Sequence, residues 1–142
     1  LRTLKNRFGS TNEIGIFDEF DMYGRYLWDL ILCVRLVVDT GINALGWSLD
    51  RVKQFMKENT DLTDAEIHTE ALRYAVDMPG QALSYKFGSI KMHHFRNKSE
   101  NALKDKFNIK DFHEAVLKYG SIPLNILEKS VDNYITQTIN LL

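Results

Sequence analysis

Three polar residues recur at helical spacing inside the segment RLVVDTGINALGW, residues 35–47. Arg35, Asp39 and Asn43 are four residues apart, so on a helix they form one stripe. The positions around them are apolar, which indicates that the stripe faces protein rather than open water. Two interpretations remain open. In the first, Arg35 and Asp39 pair, or each meets a partner elsewhere, and lock the helix to its neighbours. In the second, the stripe lines a substrate-binding wall. Spacing alone favours the first.

A second candidate site lies in the segment PGQALSYKFG, residues 79–88. Gln81 and Tyr85 share one helical face, which Gly88 extends, and Lys86 is about 100° away around the axis. An interior glycine costs a helix about 1 kcal/mol, so close packing is expected there. Tyr85 is either a core aromatic whose hydroxyl meets a carbonyl, or a donor that offers its O–H into a cleft. Spacing alone favours the core residue.

The remaining histidine, acidic and cysteine residues form no recognisable catalytic or metal-binding motif. His93 and His94 are adjacent on a helix, so their side chains diverge and cannot chelate one metal together. His113 and Glu114 are not followed by a second histidine, because position 117 is Leu, so the HExxH zinc helix is missing. No glycine-rich phosphate loop and no CxxC pair occur, and we therefore expect no metal site and no cofactor in this chain.

Composition limits the class of protein further. The 142 residues are 44% apolar and 26% charged, which is ordinary for a soluble globular domain. The net charge of −1 gives no electrostatic footprint for nucleic acid, so a nucleic-acid partner is not expected. The single cysteine, Cys33, excludes an internal disulfide and is expected as a buried thiol.

Apolar residues recur at helical spacing almost throughout the chain, which predicts an all-α fold with short connections and antiparallel neighbours. Residues 1–16 read as a loop or irregular lead-in, and residues 17–142 as a single helical domain. Capping residues, glycines and prolines divide that domain into about six helices. These are expected near 18–45, 49–59, 64–77, 79–104, from 108 or 111 to 120, and 123–139.

Three separated segments resemble one known family in unbroken order. They are RLVVDTGINALGW, RYAVDMPGQALSYKFGSIKMHHFR and FNIKDFHEAVLKYGSIPLNILEKSVDNYI, and the resemblance spans about residues 15–135. They look like the C-terminal part of the bacterial "domain of unknown function 885" family, whose members are often described as lipoproteins or secreted proteins. The family is grouped with the gluzincin-type zinc metallopeptidases.

The resemblance implies a longer, all-helical protein. Its zinc-binding HExxPGH-like helix and its EGWALYxE segment lie upstream of the matching region and are not in this sequence. The chain therefore resembles the last quarter of such a protein, and its start, which has no Met, fits a piece of something longer. It would pack against the upstream part of the same polypeptide, and zinc would belong to the complete protein.

The resemblance also implies roles for the two polar clusters. In related gluzincins a late His and a late Tyr steady the tetrahedral intermediate, which makes Tyr85 the candidate oxyanion donor. Asn43 stands where the family usually has His, and Asn cannot carry a proton at neutral pH. Arg35, Asp39, Gln81 and Lys86 are then candidate substrate-binding residues for a peptide.

Two functions follow from these observations. One is the C-terminal portion of a metallopeptidase-like protein, which lines the cleft and is not active alone. The other is a non-catalytic helical interaction module or a degenerate relative. The resemblance implies a secreted protein or a lipoprotein anchored in a bacterial envelope. An isolated piece would expose apolar surface, so a homo-oligomer is also expected.

Overall fold

The computed structural model describes residues 18–140, and the predicted lead-in at 1–16 lies outside them. Within this range the chain forms six α-helices and no strand, which confirms the all-α prediction. The helices are α1 (Glu19–Ala44), α2 (Leu49–Asn59), α3 (Asp64–Leu72), α4 (Gly88–Leu103), α5 (Ile109–Leu117) and α6 (Leu124–Asn140). A short 3₁₀ turn, Lys104–Lys106, follows α4.

Side-chain caps explain where the first three helices begin. Asp18 caps α1 in a capping box with Asp21, and Ser48 caps α2 through the amide of Arg51. Thr63 and Glu66 form a capping box at the start of α3. Each cap satisfies an amide that the first turn of a helix leaves without a partner.

Two π-helical turns flank the Met78–Pro79–Gly80 turn. The first, Arg73–Asp77, continues α3, and the second, Leu83–Phe87, leads into α4. The sequence predicts regular helix over both segments. The difference arises because each turn closes its hydrogen bonds one residue later than an α-helix does, as from the Met78 amide to the Arg73 carbonyl. Such turns occur frequently at functional sites.

The described residues up to Phe87 form one compact unit with its own core. Helices α1, α2 and α3 pack together with the two π-helical turns. The buried apolar residues of this core are Val34, Val38, Val52, Met56, Ile67, Ala71, Tyr74 and Ala82. All of the candidate site residues predicted from the sequence lie in this unit.

The described residues from Gly88 to Asn140 form a second compact unit. Its core comprises Phe95, Leu103, Phe112, Leu127, Val131 and Ile135. Two ion pairs, Lys91–Glu128 and Lys98–Asp132, join α4 to α6 along its surface. Each unit thus has its own apolar core. The single helical domain over 17–142 stays a prediction. Among the described residues, no helix is both long enough and apolar enough to span a membrane.

Candidate functional site

Asp39 is a buried anchor for a distant segment of chain. Its side chain is 1% exposed, although it lies in the middle of an apolar helix. One carboxylate oxygen accepts the amide hydrogen of Gly80 at 2.8 Å, and the other accepts that of Ala82 at 2.9 Å. These amides open the helical segment that carries Tyr85. Asp39 therefore caps that segment across the fold, as a carboxylate caps a helix N-terminus locally.

Asn43 extends this anchor by one turn of α1. Its amide nitrogen lies 2.8 Å from the Asp39 carboxylate, 3.1 Å from the Asp39 carbonyl and 3.0 Å from the Tyr74 carbonyl. Two amide hydrogens are thus shared among three oxygens. Asn43 joins α1 to the π-helical turn that follows α3, and its donor group is already engaged within the protein.

Gly41 lets an aromatic ring close the end of α1. A Cβ atom at this position would lie 2.6 Å from the ring of Trp47. The Trp47 amide donates to the Gly41 carbonyl at 2.9 Å, and Gly46, at φ +67°, turns the chain between them. The Arg51 guanidinium stacks 4.2 Å from the Trp47 ring. The glycine is therefore required for packing, not for flexibility.

Arg35 pairs with Glu70 rather than with Asp39. The two side chains form a bidentate contact with distances of 2.7 and 2.8 Å and are 16% and 14% exposed. The guanidinium also lies 4.9 Å from the ring of Trp28. A shallow groove of about 350 Å³ lies beside the pair, between α1 and α3. The sequence leaves open whether Arg35 pairs with Asp39 or with a residue elsewhere. In the structure the partner is Glu70.

Lys86 and Gln81 also find partners within the first unit. The Lys86 ammonium contacts the Asp29 carboxylate at 2.6 Å, which ties the second π-helical turn to α1. Burial acts to lower the pKa of Lys86, but the Asp29 hydrogen bond and charge outweigh it, so the pKa is raised. The Gln81 carbonyl accepts two hydrogen bonds from Arg73, at 2.9 and 3.1 Å.

Tyr85 lies on the surface, between the backbone amides that Asp39 binds and the Lys86–Asp29 ion pair. Its side chain is 58% exposed, so it is not the core aromatic that spacing favours. Among residues 18–140 its hydroxyl forms no hydrogen bond. The amides bound by Asp39 precede it in the chain, and the Lys86–Asp29 pair follows it. The backbone that carries Tyr85 is therefore held against α1 on both sides, while its O–H is available to a ligand.

Comparison with known proteins places the chain in a family. The sequence profile of a family described as a bacterial protein of unknown function, DUF885, matches residues 10–131. The chain belongs to the DUF885 family. This confirms the resemblance drawn from the three segments. No curated protein matches the chain.

One solved structure is similar to this DUF885 chain over most of its length. It is the crystal structure of the "putative lipoprotein" from Colwellia psychrerythraea, with 33% sequence identity and a TM-score of 0.81. The match covers 89% of this chain and 22% of that chain. The DUF885 chain thus spans about a fifth of the length of that protein.

The zinc that the resemblance implies would belong to the complete protein, and the described residues offer no set of ligands for it. Among residues 18–140, no group of three His, Cys, Asp or Glu side chains could hold a metal ion. Cys33 is half-buried rather than fully buried and lies near Lys86. We therefore derive no chemical step through a metal in this chain.

Several residues that build the site carry no signal in the sequence. Glu70, Asp29 and Arg73 are the partners of Arg35, Lys86 and Gln81, and each contact joins residues at least eight positions apart. Periodicity identifies faces of a helix, but it does not identify which residue of another helix meets them. Gly41, which packs against the Trp47 ring, is the local exception.

Proposed function

We propose that this chain forms a helical wall of the substrate cleft in a larger, metallopeptidase-like DUF885 protein. Tyr85 is the residue that faces the peptide. The observation that carries the proposal is the placement of Tyr85: its side chain is 58% exposed, while the Ala82 amide before it and the Lys86 side chain after it are both bound by carboxylates of α1. A donor that is fixed in position before the substrate arrives needs little reorganisation during the reaction.

The role proposed for Tyr85 follows from the charge that peptide hydrolysis creates. Attack of water on the peptide carbonyl carbon forms a tetrahedral intermediate and places negative charge on the carbonyl oxygen. The Tyr85 O–H donates a hydrogen bond to that oxygen and keeps its proton. The bond strengthens as the charge develops, so it stabilises the transition state more than the bound peptide.

Asn43 supports this site instead of acting on the substrate. Its amide hydrogens are engaged by Asp39 and by the Tyr74 carbonyl. A donation to substrate from Asn43 would break these contacts. We therefore assign Asn43 to positioning, together with Asp39, and leave Tyr85 as the donor. The remaining polar candidates, Gln81 and Lys86, are likewise held by internal partners.

The test is peptide hydrolysis by the complete protein supplied with zinc. Tyr85→Phe removes one hydroxyl and should lower kcat by roughly 10²–10³-fold, as the loss of one such donor does. Tyr119→Phe is the matched control, because Tyr119 is 59% exposed and lies in the second unit. Equal activity of the two variants would overturn the proposal.

A non-catalytic helical module is the second candidate function. The observation that favours it is that Asp39, Asn43 and Arg35 all form internal contacts, which is how a purely structural lock is built. On this alternative, the complete wild-type protein hydrolyses no peptide while the fold remains intact. The same hydrolysis assay therefore separates the two functions.

We also propose that the complete protein belongs to the bacterial envelope. The support is its similarity to the Colwellia protein, whose description is "putative lipoprotein". Fractionation of cells that express the complete gene would test this. Recovery in the cytoplasmic fraction alone would contradict it.

A further inference from the structure

The N-terminal half of α1 is apolar and yet remains uncovered. None of residues 19–33 is buried, whereas the C-terminal half of the helix holds Val34, Val38, Asp39 and Gly41 in the interior. The large apolar side chains of this half that are exposed include Phe20, Tyr23, Trp28 and Leu30. Apolar side chains of this kind are usually buried, but residues 18–140 do not bury them.

A helix with an exposed apolar face is unusual, because it lacks the packing that normally stabilises helices. Isolated helices of about 12–15 residues are marginal in water, and most helical stability in proteins comes from packing of an apolar face. A helix that is apolar on several sides is normally buried. The 15 residues from 19 to 33 continue into the packed half of α1, but none of them is fully buried within the described chain. A further partner would let their apolar side chains contribute packing energy.

The exposed side chains also indicate the shape of that partner. Tyr23, Leu30 and Val37 are seven residues apart and are 60%, 45% and 40% exposed. A seven-residue repeat keeps side chains on one side of a helix, and such a stripe packs against the stripe of a second helix at a shallow crossing angle. The complementary surface is therefore an apolar helix rather than an irregular loop.

We propose that the stripe formed by Tyr23, Leu30 and Val37 is the docking face for an apolar helix from the remainder of the same polypeptide. The structure from Colwellia supports this choice, because this chain corresponds to 22% of its length. The larger part of such a protein is therefore available to cover the stripe. Like the proposed function, this inference assumes that the chain is part of a larger protein. It does not require Tyr85 to be catalytic.

Site-specific photo-cross-linking in the complete protein tests the docking face. A photo-reactive phenylalanine analogue is placed at position 30, with position 54 as the control because Gln54 is exposed and polar on α2. We expect position 30 to form an intramolecular cross-link to a segment outside this chain, and position 54 to form none. A cross-link to residues 1–17, a cross-link to a second copy, or no cross-link at position 30 would overturn the proposal.

Thermal unfolding of the complete protein supplies a second measurement. Leu30→Arg should lower Tm by about 2–4 °C if the stripe is covered, because a charge would enter an apolar contact. Gln54→Arg should leave Tm within about 1 °C, since exposed substitutions change little. Equal Tm values for the two variants would show that the stripe faces solvent. Neither measurement depends on hydrolysis, so its failure is distinct from failure of the proposed function.

Discussion

The Asp39 carboxylate accepts the amide hydrogen of Ala82 at 2.9 Å, although the two residues are 43 positions apart. This contact explains why α1 contains a carboxylate in its best-packed half. A helical segment that starts after Pro79 leaves amides without local partners, and Asp39 binds two of them. The polar residues of RLVVDTGINALGW are thus used to join segments that are distant in the sequence.

Removal of the Asp39 carboxylate should strongly destabilise the protein. Asp39→Ala leaves the amides of Gly80 and Ala82 without their acceptor and removes one of the three oxygens that the Asn43 amide contacts, so we expect a loss of about 2–4 kcal/mol. Asp39→Asn should cost less, because one side-chain oxygen remains. Chemical denaturation measures both values, and Asp61→Ala is the control because Asp61 is exposed. A loss below about 0.5 kcal/mol for Asp39→Ala would contradict this role.

Two glycines of α1 should respond in opposite directions to alanine. Gly41→Ala places a Cβ atom 2.6 Å from the Trp47 ring and should cost about 1–3 kcal/mol through overpacking. Gly24→Ala meets nothing within 4 Å and should stabilise the helix by about 0.5–1 kcal/mol. Denaturation midpoints of the two variants provide the measurement. Stabilisation by Gly41→Ala would show that Trp47 does not pack on this glycine.

The Arg35–Glu70 pair should matter more than an exposed ion pair. Arg35→Ala leaves the Glu70 carboxylate, which is only 14% exposed, without its bidentate partner. We expect a loss of about 2–4 kcal/mol, somewhat below the cost of breaking a fully buried pair. Lys57→Ala, which breaks the exposed pair with Asp64, should cost at most about 1 kcal/mol. Equal losses would indicate that the Arg35 pair is effectively solvated.

Tyr74 should make the protein less stable in alkali. Burial raises the pKa of Tyr74 above its ordinary value near 10, with a smaller opposing effect from Arg35 and a smaller raising effect from Glu70. The unfolded chain therefore ionises this tyrosine before the folded chain does. Stability is retained below about pH 10 and falls as the pH rises through the folded pKa. Denaturation at pH 8 and pH 11 tests this.

The control for that pH dependence is Tyr74→Phe. It removes the titrating hydroxyl, so the fall in stability between pH 8 and pH 11 should become smaller. The fall should not vanish, because the pKa values of Tyr134 and Lys86 are also raised in the folded protein. Their deprotonation therefore also lowers the free energy of unfolding in alkali. An unchanged pH dependence would show that Tyr74 ionises equally in both states.

Much of the helical architecture can be predicted from local signals. The capping box of Thr63 and Glu66 marks the start of α3, and Ser48 marks the start of α2, because caps act on amides two or three residues away. The π-helical turns beside Met78–Pro79–Gly80 were not predictable. Apolar periodicity does not distinguish one extra residue in a turn from a regular helix.

The site was predictable only in part. Spacing identifies the stripe of Arg35, Asp39 and Asn43, and within it the contact between the last two is local. The partners of Arg35 and Asp39 lie 35 or more positions away, so they depend on how the segments fold together. The exposure of Tyr85 likewise depends on tertiary packing, and spacing wrongly favoured a core position for it.

Amide hydrogen exchange over residues 80–87 tests directly whether Asp39 fixes the segment that carries Tyr85. In the wild-type protein the amides of Gly80 and Ala82 should exchange slowly, because both are bound by a buried carboxylate. Asp39→Ala should accelerate their exchange by about tenfold or more, with little change at Phe95 and Leu127 in the core of the second unit. Unchanged exchange at Gly80 and Ala82 would contradict the account, since the segment would then be held without Asp39.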